Sequence, residues 1–145
     1  MIIGIDIDGV LAKYNEALAT VVENARGLKP GSLKAPTGWN FPDWDLNRES
    51  FRTYHSVLMT NIVDMELYPN ASEVVNYLAK DNTIKIITSR GSARLHDADM
   101  RPKVYCGTVE WLQKHNIPYN DLCFVENKNE VEADIYIEDS PAHLE

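Results

Sequence analysis

The chain opens with MIIGIDIDGV, an apolar run that ends in two aspartates and a glycine. Residues Ile2–Ile7 are mostly β-branched instead of alternating with polar residues, which predicts a strand buried on both faces. Strands of that kind belong to parallel sheets that are covered by helices. Asp6 and Asp8 carry charge into the buried end of this strand, and an unpaired buried carboxylate is costly. The rest of the chain must therefore bring positive groups or a bound cation to this strand end.

Helical and strand patterns alternate through the rest of the chain, apart from an irregular Pro- and Gly-containing stretch at 28–46. Asn70, followed by Glu73, predicts a side-chain N-cap at the start of one helix. Alternation of this kind predicts an α/β, Rossmann-like, three-layer α/β/α fold with a mostly parallel sheet and two inserted helices after the first strand. The predicted helices are 15–26, about 48–61, 70–80 and about 102–115, and the predicted later strands are 83–88, 122–125 and 134–137.

Composition excludes several classes of function. A formal charge of -8 argues against a general nucleic-acid-binding surface but still allows a local site for a small anion. No run approaches about 18 apolar residues, which argues against a membrane span. The start of the chain lacks a signal-peptide pattern, so we expect a cytoplasmic location. Cys106 and Cys123 form no CxxC pair and the histidines are scattered, so zinc is not indicated.

Polar groups stand where each predicted strand ends. Because ligands bind beyond the carboxyl ends of parallel strands, we expect these groups to meet. Clustered carboxylates suit Mg²⁺, and one of them can attack phosphorus while a second transfers protons. A hydroxyl and a lysine can hold the other phosphate oxygens. The groups are Asp6 and Asp8, Thr88 with Ser89 and Arg90, Lys128, and Glu138 with Asp139.

Four segments, DIDGV, ITSR, the lysine of ENKNEV and IYIEDSP, resemble the four motifs of the haloacid dehalogenase (HAD) superfamily in their order. The resemblance implies that Asp6 is the nucleophile and Asp8 the general acid/base. It also implies that Thr88 binds the phosphoryl group and that Lys128 stabilises it. Asp8 favours phosphoryl transfer over carbon–halogen cleavage. The Mg²⁺ ligands implied by the resemblance are Asp6, the backbone carbonyl of Asp8, Glu138 and Asp139.

Within the superfamily, the chain is most similar to the 5'(3')-deoxyribonucleotidase branch, through its short helical insert, its YPNA helix start and DIYIEDSP. That resemblance implies one HAD-like hydrolase domain over 1–145, with residues 14–66 forming a small helical cap. Trp39, Phe41 and Trp44 are then candidates to stack on a base, although packing of an insert that otherwise has no core is the favoured role for these three aromatics. The branch usually continues beyond His143–Glu145, so the domain is minimal, the chain is truncated, or Leu-Glu is a vector remnant.

Ser89 and Arg90 are further candidates to contact the substrate phosphate, although Arg90 could equally lie on the surface. Arg94 and Arg101 could meet a substrate anion. The expected activity is Mg²⁺-dependent hydrolysis of a small phosphate monoester, a nucleoside monophosphate, through an aspartyl-phosphate. Alternative substrates are a sugar phosphate or a nucleic-acid 3'-phosphate end. A further alternative is a domain without turnover: a nucleotide-binding domain or a phosphoacceptor such as a signalling receiver domain. In a receiver domain the acid pair comes first in the chain, whereas here the pair Glu138 and Asp139 comes last.

Overall fold

The computed structural model describes residues 1–92 and 98–140 and contains a four-stranded sheet in the order β3-β2-β1-β4. Every pairing between these strands is parallel, and the predicted Rossmann-like α/β fold is confirmed. No helix within the described ranges is long and apolar enough to span a membrane. The elements are β1 (Ile2–Ile5), α1 (Tyr14–Arg26), α2 (Arg48–Met59), α3 (Ala71–Leu78), β2 (Thr83–Thr88), α4 (Arg101–Lys114), β3 (Asp121–Phe124) and β4 (Ile135–Ile137).

Strand β1 lies inside the sheet, with β2 on one side and β4 on the other. Ile5 pairs with Ile86 of β2 and with Ile137 of β4, and it is almost fully buried. The ladder to β4 continues one residue past β1, because the Asp6 N–H donates to the Ile137 carbonyl at 3.0 Å. Strand β1 is therefore held by both neighbours as far as Ile5, and the hydrogen bond to β4 fixes the backbone of Asp6 just beyond it.

The start of α3 corrects one prediction. Asn70 was expected to cap this helix with its side chain, but it adopts a left-handed backbone (φ 64°) and makes no side-chain cap hydrogen bond. A side-chain cap requires a residue in the extended region, and Asn tolerates the left-handed region instead. Asn70 therefore acts as a turn residue, and α3 spans Ala71–Leu78, shorter than the predicted 70–80.

The segment between β1 and α3 carries α1 and α2. In agreement with the predicted range 15–26, α1 ends at Arg26, and the left-handed Gly27 (φ 66°) is its C-cap. An Asn47–Ser50 capping box begins α2. The segment returns to the sheet where Ala12 pairs with Leu67 in an isolated antiparallel bridge. Its entry and exit are thus joined, so it forms a closed insert above the end of β1.

Two charged side chains of α1, the buried Glu23 and the exposed Arg26, hold the irregular stretch at 28–46 in place. The Glu23 carboxylate accepts hydrogen bonds from the N–H groups of Gly31 (3.0 Å) and Leu33 (2.9 Å). Arg26 donates to the Trp44 carbonyl at 2.7 Å, and the Trp44 indole donates to a backbone carbonyl at 2.9 Å. Side-chain contacts with backbone atoms therefore replace regular secondary structure in ordering this part of the insert.

Candidate active site

Lys128 joins the end of β1 to the end of β4. Its ammonium lies 2.6 Å from Asp6 Oδ2 and 2.5 Å from Glu138 Oε2. All three side chains are at least 93% buried, so these ion pairs are shielded from water. Lys128 begins a short 3₁₀ turn, Lys128–Glu130, that directs it beneath the sheet edge. The predicted convergence of Asp6, Lys128 and Glu138 is present.

The two carboxylates that share Lys128 differ in their electrostatics. Burial raises the pKa of Asp6 well above its ordinary value, and Lys128 opposes that rise. Burial is the largest single influence on Glu138 and favours its neutral form, but the hydrogen bond and charge of Lys128, with hydrogen bonds from Asp6 and the Ser140 N–H, together outweigh it and lower the pKa of Glu138 to about 2. Glu138 also accepts a hydrogen bond from the Ser140 N–H at 3.1 Å. Lys128 therefore keeps Glu138 ionised, while Asp6 still lacks compensating positive charge.

Asp139 completes a group of acids that could hold a metal ion. One oxygen each from Asp6, Glu138 and Asp139 lie within 4.8 Å of one another. Partial burial, together with a hydrogen bond to Glu138 and its charge, raises the pKa of Asp139 to about 6. A raised carboxyl pKa means that this position favours added positive charge.

Gly9 makes room for Asp139. It has a left-handed backbone (φ 82°), and a Cβ at this position would lie 1.8 Å from Asp139 Oδ2. Any side chain here would therefore be strained and would collide with the acid. The glycine that follows the two aspartates allows the loop after β1 to pack against the end of β4.

Asp8 has a different cation from Asp6. The Arg90 guanidinium donates from Nε to Asp8 Oδ2 (2.9 Å) and from Nη2 to Asp8 Oδ1 (2.7 Å). The Arg90 side chain is 1% exposed and that of Asp8 is 22% exposed. Arg90 is therefore a buried residue of the site, and the possibility that it lies on the surface is wrong.

Thr88 is the last residue of β2, and Ser89 follows it directly before Arg90. Thr88 is 1% exposed, and its hydroxyl accepts the Arg90 N–H at 3.2 Å. Ser89 lines the cavity beside Asp6 and Asp8. Ser89 thus lines the cavity, whereas Thr88 is buried at the end of β2.

A cavity of about 1100 Å³ lies between the strand ends and the insert. Its upper wall contains a row of aromatic side chains, of which the sequence predicted only Phe41. Phe41 stacks on Phe51 (ring centroids 5.8 Å apart) and Phe51 stacks on His55 (5.7 Å). The Tyr14 hydroxyl and His55 Nδ1 lie 2.7 Å apart. Tyr14, Phe51 and His55 sit on amphipathic helices, where the sequence gives no signal that separates cavity-facing positions from core positions.

The three aromatic candidates of the insert occupy different places. Trp39 lines the cavity and is 56% exposed. Phe41 also lines it, with a left-handed backbone (φ 49°). Trp44 is 2% exposed, contacts Phe41 at 4.9 Å between ring centroids, and is absent from the cavity wall. Trp44 thus packs the insert. Phe41 reaches the cavity wall but is itself buried, at 6% exposed, so Trp39 presents the larger ring surface to a ligand.

Of the two further arginine candidates, only Arg101 lies within the described residues. Arg101 is exposed at the start of α4 and does not line the cavity. Arg94 falls outside the described residues, as does the segment His143–Glu145.

Comparisons with known proteins identify the family. The family described as "5' nucleotidase, deoxy (Pyrimidine), cytosolic type C protein" matches residues 1–145. A "Putative 5'(3')-deoxyribonucleotidase" of Chlorobaculum tepidum is 32% identical over 149 residues, covering 99% of this chain and 72% of the relative.

A solved structure is also similar, at a greater distance. The crystal structure of a HAD-superfamily hydrolase, subfamily IA, from Geobacter sulfurreducens aligns with a TM-score of 0.45 at 13% identity, over 87% of this chain. The present chain spans 64% of that protein, slightly less than two thirds of its length. The family assignment rests on the first two comparisons. They confirm the resemblance to the deoxyribonucleotidase branch, and the chain belongs to the 5' nucleotidase, deoxy (pyrimidine), cytosolic type C family of phosphoric monoester hydrolases.

Proposed function

We propose that this protein hydrolyses a deoxynucleoside monophosphate in the cytoplasm, with Mg²⁺ as cofactor and an aspartyl-phosphate on Asp6 as intermediate. The observation that carries the proposal is the position of Asp6. Its carboxylate is buried against Lys128 at 2.6 Å, beside further acids that favour a cation. With a cation bound beside it, a buried carboxylate that already contacts Lys128 would be held ionised and oriented for attack on phosphorus.

The charges at the strand ends fit a divalent cation. Four carboxylates, those of Asp6, Asp8, Glu138 and Asp139, face two basic groups, Lys128 and Arg90. The excess is two negative charges when all four acids are ionised and one when Asp8 carries the proton that the first displacement requires. A divalent cation would offset this excess, and oxygen ligands are those that Mg²⁺ prefers.

The contacts of Glu138 and Asp139, the two acids that follow β4, suggest which of them binds the metal ion. Both Glu138 oxygens already have partners, one with Lys128 and the other with the Ser140 N–H. Asp139, with its pKa raised to about 6, has more to gain from a cation. Asp6, Asp139 and the backbone carbonyl of Asp8 would therefore hold the ion, while Glu138 holds Lys128. When bound, Mg²⁺ supplies charge neutralisation for the phosphate oxygens.

The chemistry requires two displacements at phosphorus. In the first, an Asp6 oxygen attacks, an Asp6 O–P bond forms and the ester P–O bond breaks, while protonated Asp8 gives its proton to the leaving oxygen. In the second, ionised Asp8 takes a proton from a water molecule whose oxygen attacks phosphorus. The Asp6 O–P bond then breaks, phosphate is released, and both carboxyl groups regain their starting states. Lys128 and the hydroxyls of Ser89 and Thr88 would hold the phosphate oxygens by hydrogen bonds and charge.

The cavity supports a nucleotide-sized substrate. Its volume of about 1100 Å³ exceeds what a bare phosphate needs, and its upper wall is aromatic. Trp39, 56% exposed, offers a ring face on which a base could stack. The C. tepidum relative carries a deoxyribonucleotidase description, which favours deoxyribose over ribose.

Phosphate release from a panel of substrates tests this function. The purified chain with Mg²⁺ is given deoxyribonucleoside and ribonucleoside 3'- and 5'-monophosphates, sugar phosphates and a DNA 3'-phosphate end. We expect repeated turnover, fastest with a deoxynucleotide, lost with EDTA and restored by Mg²⁺. Asp6→Asn is the matched control, since it keeps the shape of the side chain but removes the nucleophile. Turnover by Asp6→Asn equal to that of the parent protein would refute the mechanism, and stoichiometric labelling without turnover would indicate a phosphoacceptor instead.

A further inference from the structure

Arg90 is the most completely surrounded cation of the described site. Two of its nitrogens donate to the two oxygens of Asp8, at 2.9 and 2.7 Å. Nη1 donates to Thr108 Oγ1 at 3.2 Å, and Nη2 lies 3.6 Å from the Met65 sulfur. The guanidinium carbon lies 5.9 Å from the centroid of the Trp111 ring, which is fully buried. Arg90 is therefore held by groups on the loop after β1, on α4 and at the end of the insert.

These contacts leave little of Arg90 for a substrate. A guanidinium has five N–H donors in a fixed plane, and four of them are directed at protein atoms in these contacts. The side chain is 1% exposed, so reaching a phosphate in the cavity would require breaking buried hydrogen bonds. The geometry is that of a residue that supports another side chain.

The paired contact also fixes the orientation of Asp8. A bidentate guanidinium–carboxylate pair aligns the two planar groups, which a single hydrogen bond does not. An unpaired Asp8, two residues from Asp6 on a turn, would be free to rotate about its side-chain bonds. A group that transfers protons must be held close to productive geometry to be effective.

We propose that Arg90 is a positioning residue: it orients the Asp8 carboxyl for proton transfer to the leaving oxygen and does not bind the substrate phosphate. This inference rests on the proposed function, since it assigns Arg90 a role in the first displacement. In that step the ester P–O bond breaks as the Asp6 O–P bond forms, and the Asp8 proton moves to the departing alkoxide oxygen. Arg90 gains and loses no proton; it holds the donor in place.

The experiment compares two leaving groups with the Mg²⁺-loaded full chain. A deoxynucleoside monophosphate releases an alkoxide that needs a proton, whereas p-nitrophenyl phosphate releases a phenolate that departs without one. The quantity measured is kcat/KM, because it reports the steps up to departure of the leaving group. The variants are Arg90→Met, Arg90→Lys, Asp8→Asn and the double variant Arg90→Met/Asp8→Asn.

Arg90→Met should lower kcat/KM for the nucleotide by about 100-fold and for p-nitrophenyl phosphate by less than about fivefold, in line with the usual size of general acid catalysis. Arg90→Lys should not restore the nucleotide rate, because an ammonium cannot form the paired contact. The double variant should be no slower than Asp8→Asn alone, since the two residues act as a unit. Inhibition by inorganic phosphate should stay unchanged.

Thr108→Val provides a second, milder test. Thr108 is fully buried and supports Arg90 at 3.2 Å, and valine has nearly the same shape. In this variant kcat/KM should again fall more for the nucleotide than for p-nitrophenyl phosphate, but by a smaller factor than in Arg90→Met. If circular dichroism shows that Arg90→Met does not fold, Thr108→Val still tests the inference.

The contrary result is equally specific. Equal losses for both substrates in Arg90→Lys and Thr108→Val, with weaker inhibition by phosphate, would show that Arg90 binds the phosphoryl group and would overturn the inference. If the unmodified protein cleaves neither substrate, the proposed function itself fails, which is a distinguishable outcome.

Discussion

The cavity has two walls built on different principles. The floor consists of the charged side chains at the strand ends: Asp6, Asp8, Arg90, Lys128, Glu138 and Asp139. Its ion pairs are short, between 2.5 and 2.7 Å, and the sheet fixes the backbone beneath them. The roof consists of insert residues that line the cavity: Tyr14, Trp39, Phe41, Phe51 and His55. All of them except Trp39 are linked by the ring contacts described above. The floor suits phosphoryl chemistry, which is electrostatic, whereas the roof suits recognition of the rest of the substrate.

The largest expected effect comes from the centre of the floor. Lys128→Met keeps the length of the side chain but leaves Asp6 and Glu138 facing each other without a cation. We expect kcat to fall by about 10²–10³-fold, because a fixed positive group at the transferring phosphoryl is lost. We also expect the free energy of unfolding to fall by about 3–5 kcal/mol, the usual cost of removing one partner of a buried ion pair.

Steady-state kinetics and urea unfolding measure the two effects of Lys128→Met. Lys80→Met, at an exposed lysine outside the cavity, is the matched control and should change neither quantity. A Lys128→Met protein with near-normal kcat would show that the floor does not depend on this cation.

A change in the roof should have a smaller effect of a different kind. Trp39→Ala should raise KM for nucleotides by about 5- to 100-fold, because stacking of a base on an aromatic ring contributes about 1–3 kcal/mol. It should leave hydrolysis of a small aliphatic phosphate ester such as glycerol phosphate unchanged, because that substrate has no ring to stack. Equal effects on both substrates would mean that the roof also shapes the chemistry.

Tyr77→Ala is the matched control for Trp39→Ala, since Tyr77 is 71% exposed on α3 and outside the cavity. Kinetics over a range of nucleotide concentrations separates KM from kcat. Because Trp39 is itself more than half exposed, its loss should leave the thermal stability unchanged.

The smallest effect concerns the pH dependence of metal binding at the floor. The pKa of Asp139 is raised to about 6, so its carboxyl is protonated below that pH and Mg²⁺ must displace the proton. The rise in melting temperature caused by Mg²⁺ should therefore be full above pH 6 and shrink as the pH falls below it. Without metal the sign is opposite: the folded state retains this proton longer than the unfolded chain, so the contribution of Asp139 to stability falls as pH rises from about 4 to 6.

Thermal melts with and without Mg²⁺, at intervals between pH 4.5 and 8, measure this dependence. Asp139→Asn carries no titrating group and should lose both the Mg²⁺ effect and this part of the pH dependence. A Mg²⁺ effect of constant size across this range would contradict the assignment of Asp139 as a ligand.

The floor was more predictable from sequence than the roof, for a physical reason. Parallel strands bring their ends to one edge, so residues as distant as Asp6 and Glu138 could be placed together from the strand pattern. The pairing of Arg90 with Asp8 escaped prediction, since nothing in ITSR shows which acid an arginine will meet. In the roof, Tyr14 and His55 come together through the packing of α1 on α2, which leaves no local pattern. The role of Asn70 was predicted wrongly because a local pattern was present but misleading. Its sequence context indicates a helix cap, whereas the turn sets its backbone to the left-handed conformation.

The central claim is that Asp6 forms a covalent phosphoenzyme, and trapping that species tests it most directly. The Mg²⁺-loaded protein is mixed with the best deoxynucleotide, quenched during turnover with sodium borohydride, which reduces an aspartyl-phosphate to homoserine, and analysed by peptide mass spectrometry. The account predicts homoserine at position 6, absent without substrate and absent in Asp6→Asn. Homoserine at another acidic residue, or full turnover with no modified residue, would contradict it.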